Sequence, residues 1–324
     1  MTIIEFLQRF PSEKDAINHF FKIRYNNVIT CPHCNSKEKI YRYRNRFKFA
    51  QCKKCNNTFS VFTGTIFEHS STDIRKWFYA IHLFLNAKKG ISGYQLKREI
   101  GVTYKTAWRI LKQIRIAMGN KKEKDVFETI VEIDETYVGG KPRRYYDNDN
   151  KIVKNPDVIH KRGRGTKKIP VVGIKDRITG KIHAKVMLPN DEGKKLTGKQ
   201  LISVLDSVCK NKVTVISDDF RGYDILDKKT DNNYQRYTVN HSIGQYSAGK
   251  GIHTNGIENF WSIFKRGWYG IYHHMSVKYL QNYVNEYCFR NNNRGNNQIY
   301  DVLLRQSVLL NNTAWEIILL FYLI

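Results

Sequence analysis

Four cysteines in two pairs place the first constraint on this chain. Cys31-Pro-His-Cys34 is followed, after 17 intervening residues, by Cys52-Lys-Lys-Cys55. A C-x-x-C turn presents two thiolates on one side of a knuckle, and two knuckles brought together by a hairpin make a closed tetrahedral site. The spacing predicts a zinc ribbon over residues 28–68, with Cys31, Cys34, Cys52 and Cys55 holding a structural zinc ion. Four reduced thiols in a small core are the plainer alternative. His33 lies inside the first knuckle and, with four thiolates already sufficient, is read as a non-ligand. Cys209 and Cys288 are isolated, so the cysteines do not form the disulfide framework of a small secreted domain. An intracellular, reducing setting fits them better.

Charge narrows the partner. Lys+Arg number 55 against 29 Asp+Glu, a formal charge of +26. An excess of this size favours a polyanion, nucleic acid first. With 41% hydrophobic and 13% aromatic residues the chain can bury a sizeable core, which excludes global disorder. The longest apolar run, WEIILLFYLI at the C-terminus, is half of what a membrane-spanning helix needs, and no signal-peptide pattern opens the sequence. No membrane partner is expected.

Residues 1–27 read as short helices. Ser12 and Asp15 can cap the second, and Ile17, Phe20 and Phe21 fall on one face. Between the knuckles, Lys39, Arg42, Arg44, Arg46 and Lys48 alternate with Tyr41, Tyr43, Phe47 and Phe49. Strand periodicity would put the cations on one face for phosphate contact, or simply leave them solvated. Residues 69–124 are helical and include QLKREI, a GVT turn and YKTAWRILKQIRIAM. Thr103 is a plausible N-cap, and Ala107, Ile110, Leu111, Ile114 and Met118 make a buried stripe. Lys105, Arg109, Lys112 and Arg115 lie off that stripe and are candidate DNA contacts of a helix-turn-helix. Helical hairpins also occur as plain packing units.

A charged linker at 121–124 separates this region from a larger domain at 125–310. Its strands are expected near 129–134, 169–175, 181–187 and 213–217, with a helix near 196–209 and more helices from 256 onward. Strands first and helices later indicate an α/β or α+β sheet covered by helices. A long loop at 141–168 is rich in Lys and Arg, and a loop of this length is usually functional or disordered.

Three carboxylates in this domain stand where a metal site would be built. Asp134 lies in the strand VEIDETYVGG, sharing the polar side with Glu132. Asp218 ends the apolar strand VTVISD, at the carboxyl edge where α/β folds place their sites. Glu258 lies near the start of a helix whose stripe is Ile257, Phe260, Phe264 and Trp268, with Lys265 two turns farther along the same flank. Together the acids could hold two Mg²⁺ ions for phosphodiester cleavage. Singly, each has a bland role: a strand-end turn former, a turn cap, or a capping-box partner of Asn255.

The segments ETYVGGK, TYKTAWRILKQIRIAM, SDDFRGY and HTNGIENFWSIFKRGWYGIYHHMSVKYLQNYVNEYCFRNNNR resemble those of DDE transposases of small bacterial insertion sequences. The type is the one with an N-terminal zinc ribbon, ISXO2-like and related to the eukaryotic Merlin elements. The resemblance runs from about residue 10 to about residue 305. It implies a ribonuclease H-like catalytic domain behind the ribbon and the helix-turn-helix region, with divalent-metal (Mg²⁺ or Mn²⁺) chemistry on DNA. Matching motifs make Asp134, Asp218 and Glu258 the catalytic acids and Lys265 the accompanying base. The family usually has Gly after the second acid, where this chain has Asp219. It further implies double-stranded DNA as partner (terminal inverted repeats and target), a homo-oligomer on DNA, and a location at the nucleoid or, in a eukaryotic host, the nucleus. The rivals are a transposase-derived DNA-binding regulator without catalysis, a nuclease without strand transfer and an RNA-binding ribbon protein. The apolar tail at 311–324 has no counterpart in the family.

Overall fold

The computed structural model describes residues 1–120, 126–140, 145–146, 149, 152–153, 168–191, 193, 196–210, 212–228, 234–239 and 251–308. In chain order the first elements are α1 (Ile3–Arg9), α2 (Glu13–Tyr25), β1 (Ile40–Arg42), β2 (Phe49–Cys52), β3 (Thr58–Ser60), α3 (Ile74–Asn86), α4 (Gly93–Ile100) and α5 (Tyr104–Gly119). Then come β4 (Ile130–Val138), β5 (Tyr145–Tyr146), β6 (Ile152–Val153), β7 (Ile169–Asp176), β8 (Ile182–Val186), α6 (Gly198–Asp206) and β9 (Val213–Asp218). The last are α7 (Asp224–Lys228), β10 (Tyr234–Val239), α8 (Asn255–Gly267), α9 (Leu280–Asn292) and α10 (Ile299–Ser307). The linker at 121–124, most of the basic loop at 141–168 and the apolar tail at 311–324 fall outside the described residues. Among the described residues no helix is long and apolar enough to cross a membrane.

The chain divides into two compact units, Met1–Lys122 with Asn293–Ile324, and Glu123–Asn292. In the first, Ser12 caps α2 and Thr103 caps α5, each side chain accepting the backbone N–H three residues on. Ile17, Phe20 and Phe21 of α2 and the expected stripe of α5 are buried. Strands β1, β2 and β3 form a small antiparallel sheet whose core is Cys31, Ala50, Cys52 and Phe59.

The basic hairpin departs from its expected alternation, because strand backbone covers only Ile40–Arg42 and Phe49–Cys52. Its cations are partly spent on docking instead. Arg42 lies over the Phe21 ring at 3.7 Å, and Lys48 Nζ pairs with Glu13 at 2.6 Å. Helix α10 also differs from expectation: placed by the sequence in the catalytic domain, it packs on α2, α3 and α5. There Tyr300 Oη donates to Phe78 O at 3.1 Å and Arg9 pairs with Asp301 at 2.5 Å.

The second unit is built on a five-stranded sheet in the order β10-β9-β4-β7-β8. Strands β4, β7 and β8 are antiparallel neighbours, while β9 and β10 run parallel to β4 on its other side. Three antiparallel strands followed by a parallel pair across the first strand is the ribonuclease H-like arrangement. One face carries Val131, Ile133, Val172, Ile174, Val213 and Val215 under Leu201 and Leu205 of α6 and Leu226 of α7. The other carries Val138, Val171, Ile182 and Ala184 under Ile257, Phe260, Trp261 and Phe264 of α8 and Leu280 and Val284 of α9. Gly173 lets α8 approach closely, since a Cβ there would meet the Trp261 ring at 2.6 Å.

Candidate active site

Strands β4 and β9 pair in parallel as far as Glu132↔Ile216. Two residues beyond that pair on each strand stand Asp134 and Asp218, where the sheet opens. Oxygens of Asp134, Glu135 and Asp218 lie within 4.8 Å of one another. Asp219 is exposed and outside this group. Asp218 is held from several sides. Its Oδ1 accepts the Phe220 N–H at 3.1 Å, and Arg236 Nη2 donates to its backbone oxygen at 3.2 Å. Arg236 is itself anchored on Ser217, Asp224 and Asp227.

Glu135 is the site residue that sequence reasoning missed. It sits on the opposite parity of β4, where a fully buried Tyr223 donates its hydroxyl to Oε2 at 2.9 Å. The adjacent Asp-Glu pair and the downstream Tyr223 were the available signals. Acidity at the site is strained. Burial, then the charges of Glu135 and Asp218, with Glu258 adding, push Asp134 up to about 8. Oxygen-only donors crowded this way suit a hard divalent cation, whose charge relieves their repulsion.

Glu258 stands outside the 4.8 Å group, although its charge reaches Asp134. It lies in the first turn of α8, where Thr254 Oγ1 donates to Glu258 Oε1 at 2.6 Å. Asn255 opens the helix, and Thr254 in place of Asn255 is the partner of Glu258. Lys265 is exposed in the last turn of α8. Glu132, expected on a polar strand face beside Asp134, is 2% exposed because α8 covers it.

In the ribbon, Cys31, Cys34, Cys52 and Cys55 each offer a sulfur within 4.8 Å of the others. The Cys31–Cys55 and Cys34–Cys52 sulfurs are 3.7 Å and 3.6 Å apart. Those separations match the edge of a tetrahedron with metal–sulfur bonds of about 2.3 Å, roughly 3.8 Å, and are far too long for disulfides. The backbone N–H of Asn57 helps hold Cys55 below the usual thiol range, while burial and the neighbouring thiols raise Cys34, so the cluster titrates as one group. His33 is exposed and outside the cluster.

The four candidate DNA contacts on α5 separate by burial. Lys105 is exposed next to the N-cap. Arg109 donates to the backbone oxygens of Glu68 at 2.6 Å and His69 at 3.4 Å, and Lys112 lies 5.8 Å from the Trp108 ring centre. Arg115, expected among the DNA contacts, is 3% exposed and lies over Phe84 at 5.3 Å, so in this structure its guanidinium is packed inside the unit.

Comparisons with known proteins agree with this architecture. Residues 127–292 match the profile of the ISXO2-like transposase domain, and residues 11–58 match the transposase zinc-ribbon domain. A protein of the transposable element ISH50 from Halobacterium salinarum is 33% identical over 290 residues, covering 88% of this chain and 92% of the relative. Among solved structures, the Mos1 strand transfer complex aligns with 74% of this chain and 76% of that chain at 12% identity and a TM-score of 0.31. The simian T-cell lymphotropic virus intasome in complex with PP2A regulatory subunit B56 gamma aligns with 63% of this chain and 66% of that chain, at 12% identity and a TM-score of 0.29. Likeness this remote carries no weight beside the strand topology. With residues 127–292 of its sheet unit matched by the family profile and a third of the 290 aligned residues identical to a transposable-element protein of nearly the same extent, the chain belongs to the ISXO2-like transposase family.

Proposed function

We propose that the chain cuts DNA at the ends of an insertion sequence and joins those ends to target DNA. The observation that carries this reading is the convergence of Asp134, Glu135 and Asp218 oxygens within 4.8 Å at the open edge of β4 and β9. Bound there, a pair of Mg²⁺ or Mn²⁺ ions would activate the attacking oxygen and steady the leaving one. The protein's part is to hold the acids in place: Asp134 and Asp218 from neighbouring strands, Glu258 from α8. Lys265 lies seven residues along α8 from Glu258, about 10 Å by helical rise, a distance suited to a DNA phosphate beside the acids. Water attacks the terminal phosphodiester in the first step and a 3′-hydroxyl departs. In the second, that hydroxyl attacks a target phosphodiester and a target 3′-hydroxyl departs.

The ribbon cysteines would hold a structural zinc, with no position left open for catalysis. Lys105, at the start of α5, is the best placed of the helical cations for double-stranded DNA, both terminal inverted repeats and target. The charge of +26 supports that partner. Two ends must be held together before joining, which calls for a homo-oligomer on DNA, in the cytoplasm at the nucleoid or in a nucleus.

The test is nicking of a plasmid carrying the element's terminal repeats by the purified protein with Mg²⁺ or Mn²⁺. Asp134→Asn should lower the rate by at least about a thousandfold, on the order of 4 kcal/mol of barrier. Equal nicking by Asp134→Asn removes Asp134 from the site. Tight repeat binding by the unaltered protein without any cleavage replaces the enzyme with a regulator.

A further inference from the structure

The motif Asn255-Gly256-Ile257-Glu258 opens α8, and its first turn is held by a carboxylate that the chemistry above leaves unused. Glu132 stands two residues before Asp134 on the same face of β4 and is 2% exposed. Its Oε2 accepts the backbone N–H of Ile257 at 2.9 Å, one of the orphan donors of the helix start. Its Oε1 accepts Arg177 Nε at 2.8 Å. Arg177 then reaches the segment leading into α8, donating to the backbone oxygens of Gly251 and His253. Its Nη2 also lies 3.0 Å from His253 Nδ1. The next residue, Thr254, is 1% exposed and donates its hydroxyl to Glu258 Oε1 at 2.6 Å. An unbroken chain of contacts thus runs from the strand that bears Asp134 to the carboxylate of Glu258.

Gly256 shows how closely this turn is seated. A Cβ there would lie 2.7 Å from both Glu132 Oε2 and Lys175 Nζ. Lys175 is the cross-strand partner of Glu132 on β7, so both walls of the seat come from the sheet. A buried carboxylate needs partners of this kind: the helix start supplies the Ile257 N–H, and Arg177, just after β7, links the other oxygen to the strap before α8.

We propose that Glu132 is a positioning residue, which acts through Arg177 and the first turn of α8 to set the carboxylate of Glu258 against Asp134. The proposal rests on Glu258 being the third acid. Residues that orient metal ligands without touching the metal typically change affinity or activity by 10–100-fold when altered.

The experiment compares full-length Glu132→Gln, Arg177→Lys and Glu258→Gln with the unaltered protein. Mn²⁺ alone is titrated by calorimetry, nicking of a repeat-bearing plasmid is followed against Mn²⁺ concentration, and folding is checked by thermal melting. Glu132→Gln keeps the shape but loses the charge that Arg177 pairs with, and should weaken Mn²⁺ binding by roughly tenfold or more, with nicking partly recovered at high Mn²⁺. Arg177→Lys probes the same seat should Glu132→Gln fail to fold. A merely structural role would lower the melting temperature and leave Mn²⁺ affinity of the folded protein unchanged, which overturns the proposal. Loss of binding in Glu258→Gln without loss in the folded seat variants overturns the positioning role alone. Unchanged binding and nicking in Glu258→Gln overturns the reading of Glu258, and the positioning role with it.

Discussion

Asp134 resists ionisation in the folded chain: burial, then the charges of Glu135 and Asp218, push its carboxyl up to about 8, against about 3.9 for a free aspartate. The sign of the linkage follows. Between those two values the folded chain holds a proton that the unfolded chain has released, so stability is full below about pH 4 and is lost as pH rises toward 8. The whole shift corresponds to at most about 6 kcal/mol. Denaturant unfolding in a chelator should therefore show the unaltered protein losing stability from pH 5 to pH 8 relative to Asp134→Asn, which cannot ionise. Mg²⁺ or Mn²⁺ should reduce that loss in the unaltered protein and leave the variant unmoved. Parallel pH profiles for the two proteins would place the strain elsewhere. The same residue-scale view separates Arg115 from Lys105. Spacing along α5 put both off the apolar stripe, but Arg115 meets Phe84 of α3, and only the fold supplies that neighbour.

Elements were legible where their causes are local. The C-x-x-C spacing located the ribbon, Ser12 and Thr103 marked helix starts, and the stripe of α5 is buried as its periodicity required. Four of the five sheet strands carry an apolar run or an apolar alternation that announces them. The fifth, β10, is a polar edge strand, YQRYTV, with little apolar alternation to betray it. Glu132 read only as part of a polar strand side, because nothing in strand periodicity tells that a helix 125 residues later will cover it. Glu135 escaped for a related reason: its parity points it away from Asp134 along an ideal strand, yet their oxygens meet where β4 outruns β9. The ribbon illustrates an element held by both kinds of cause. Its knuckles are local, but Lys48 binds Glu13, and Arg24 donates to the backbone oxygens of Val61 and Thr63. Cys52→Ser should release zinc, measurable as metal content falling from one ion per chain toward none. Limited proteolysis should then cut first within 28–68, because a core of only four buried residues, two of them the metal's own cysteines, cannot stand without the metal. Undiminished zinc would remove Cys52 from the ligand set.

At the scale of the whole molecule the first unit is discontinuous, and α10 closes it from the far end of the chain. Tyr300, Leu303 and Leu304 are buried there against elements that precede residue 120. Burying three large apolar side chains stabilises by roughly 5–9 kcal/mol, comparable with the entire stability of an ordinary domain. Removing α10 should therefore leave the first unit unable to fold cooperatively. The sheet unit, in contrast, is continuous over Glu123–Asn292 and completes both of its apolar faces from its own helices. These two facts separate two fragments that sequence alone could not rank. A fragment of 125–310 carries α10 without the surface it covers, leaving its apolar side in water. A fragment of 125–292 carries none of it. The shorter fragment should be monomeric with a single cooperative thermal transition, while the longer should associate or precipitate at the same concentration, as light scattering would report. If the longer fragment proves the better behaved, α10 belongs functionally to the sheet unit and the contact of Tyr300 with Phe78 is dispensable.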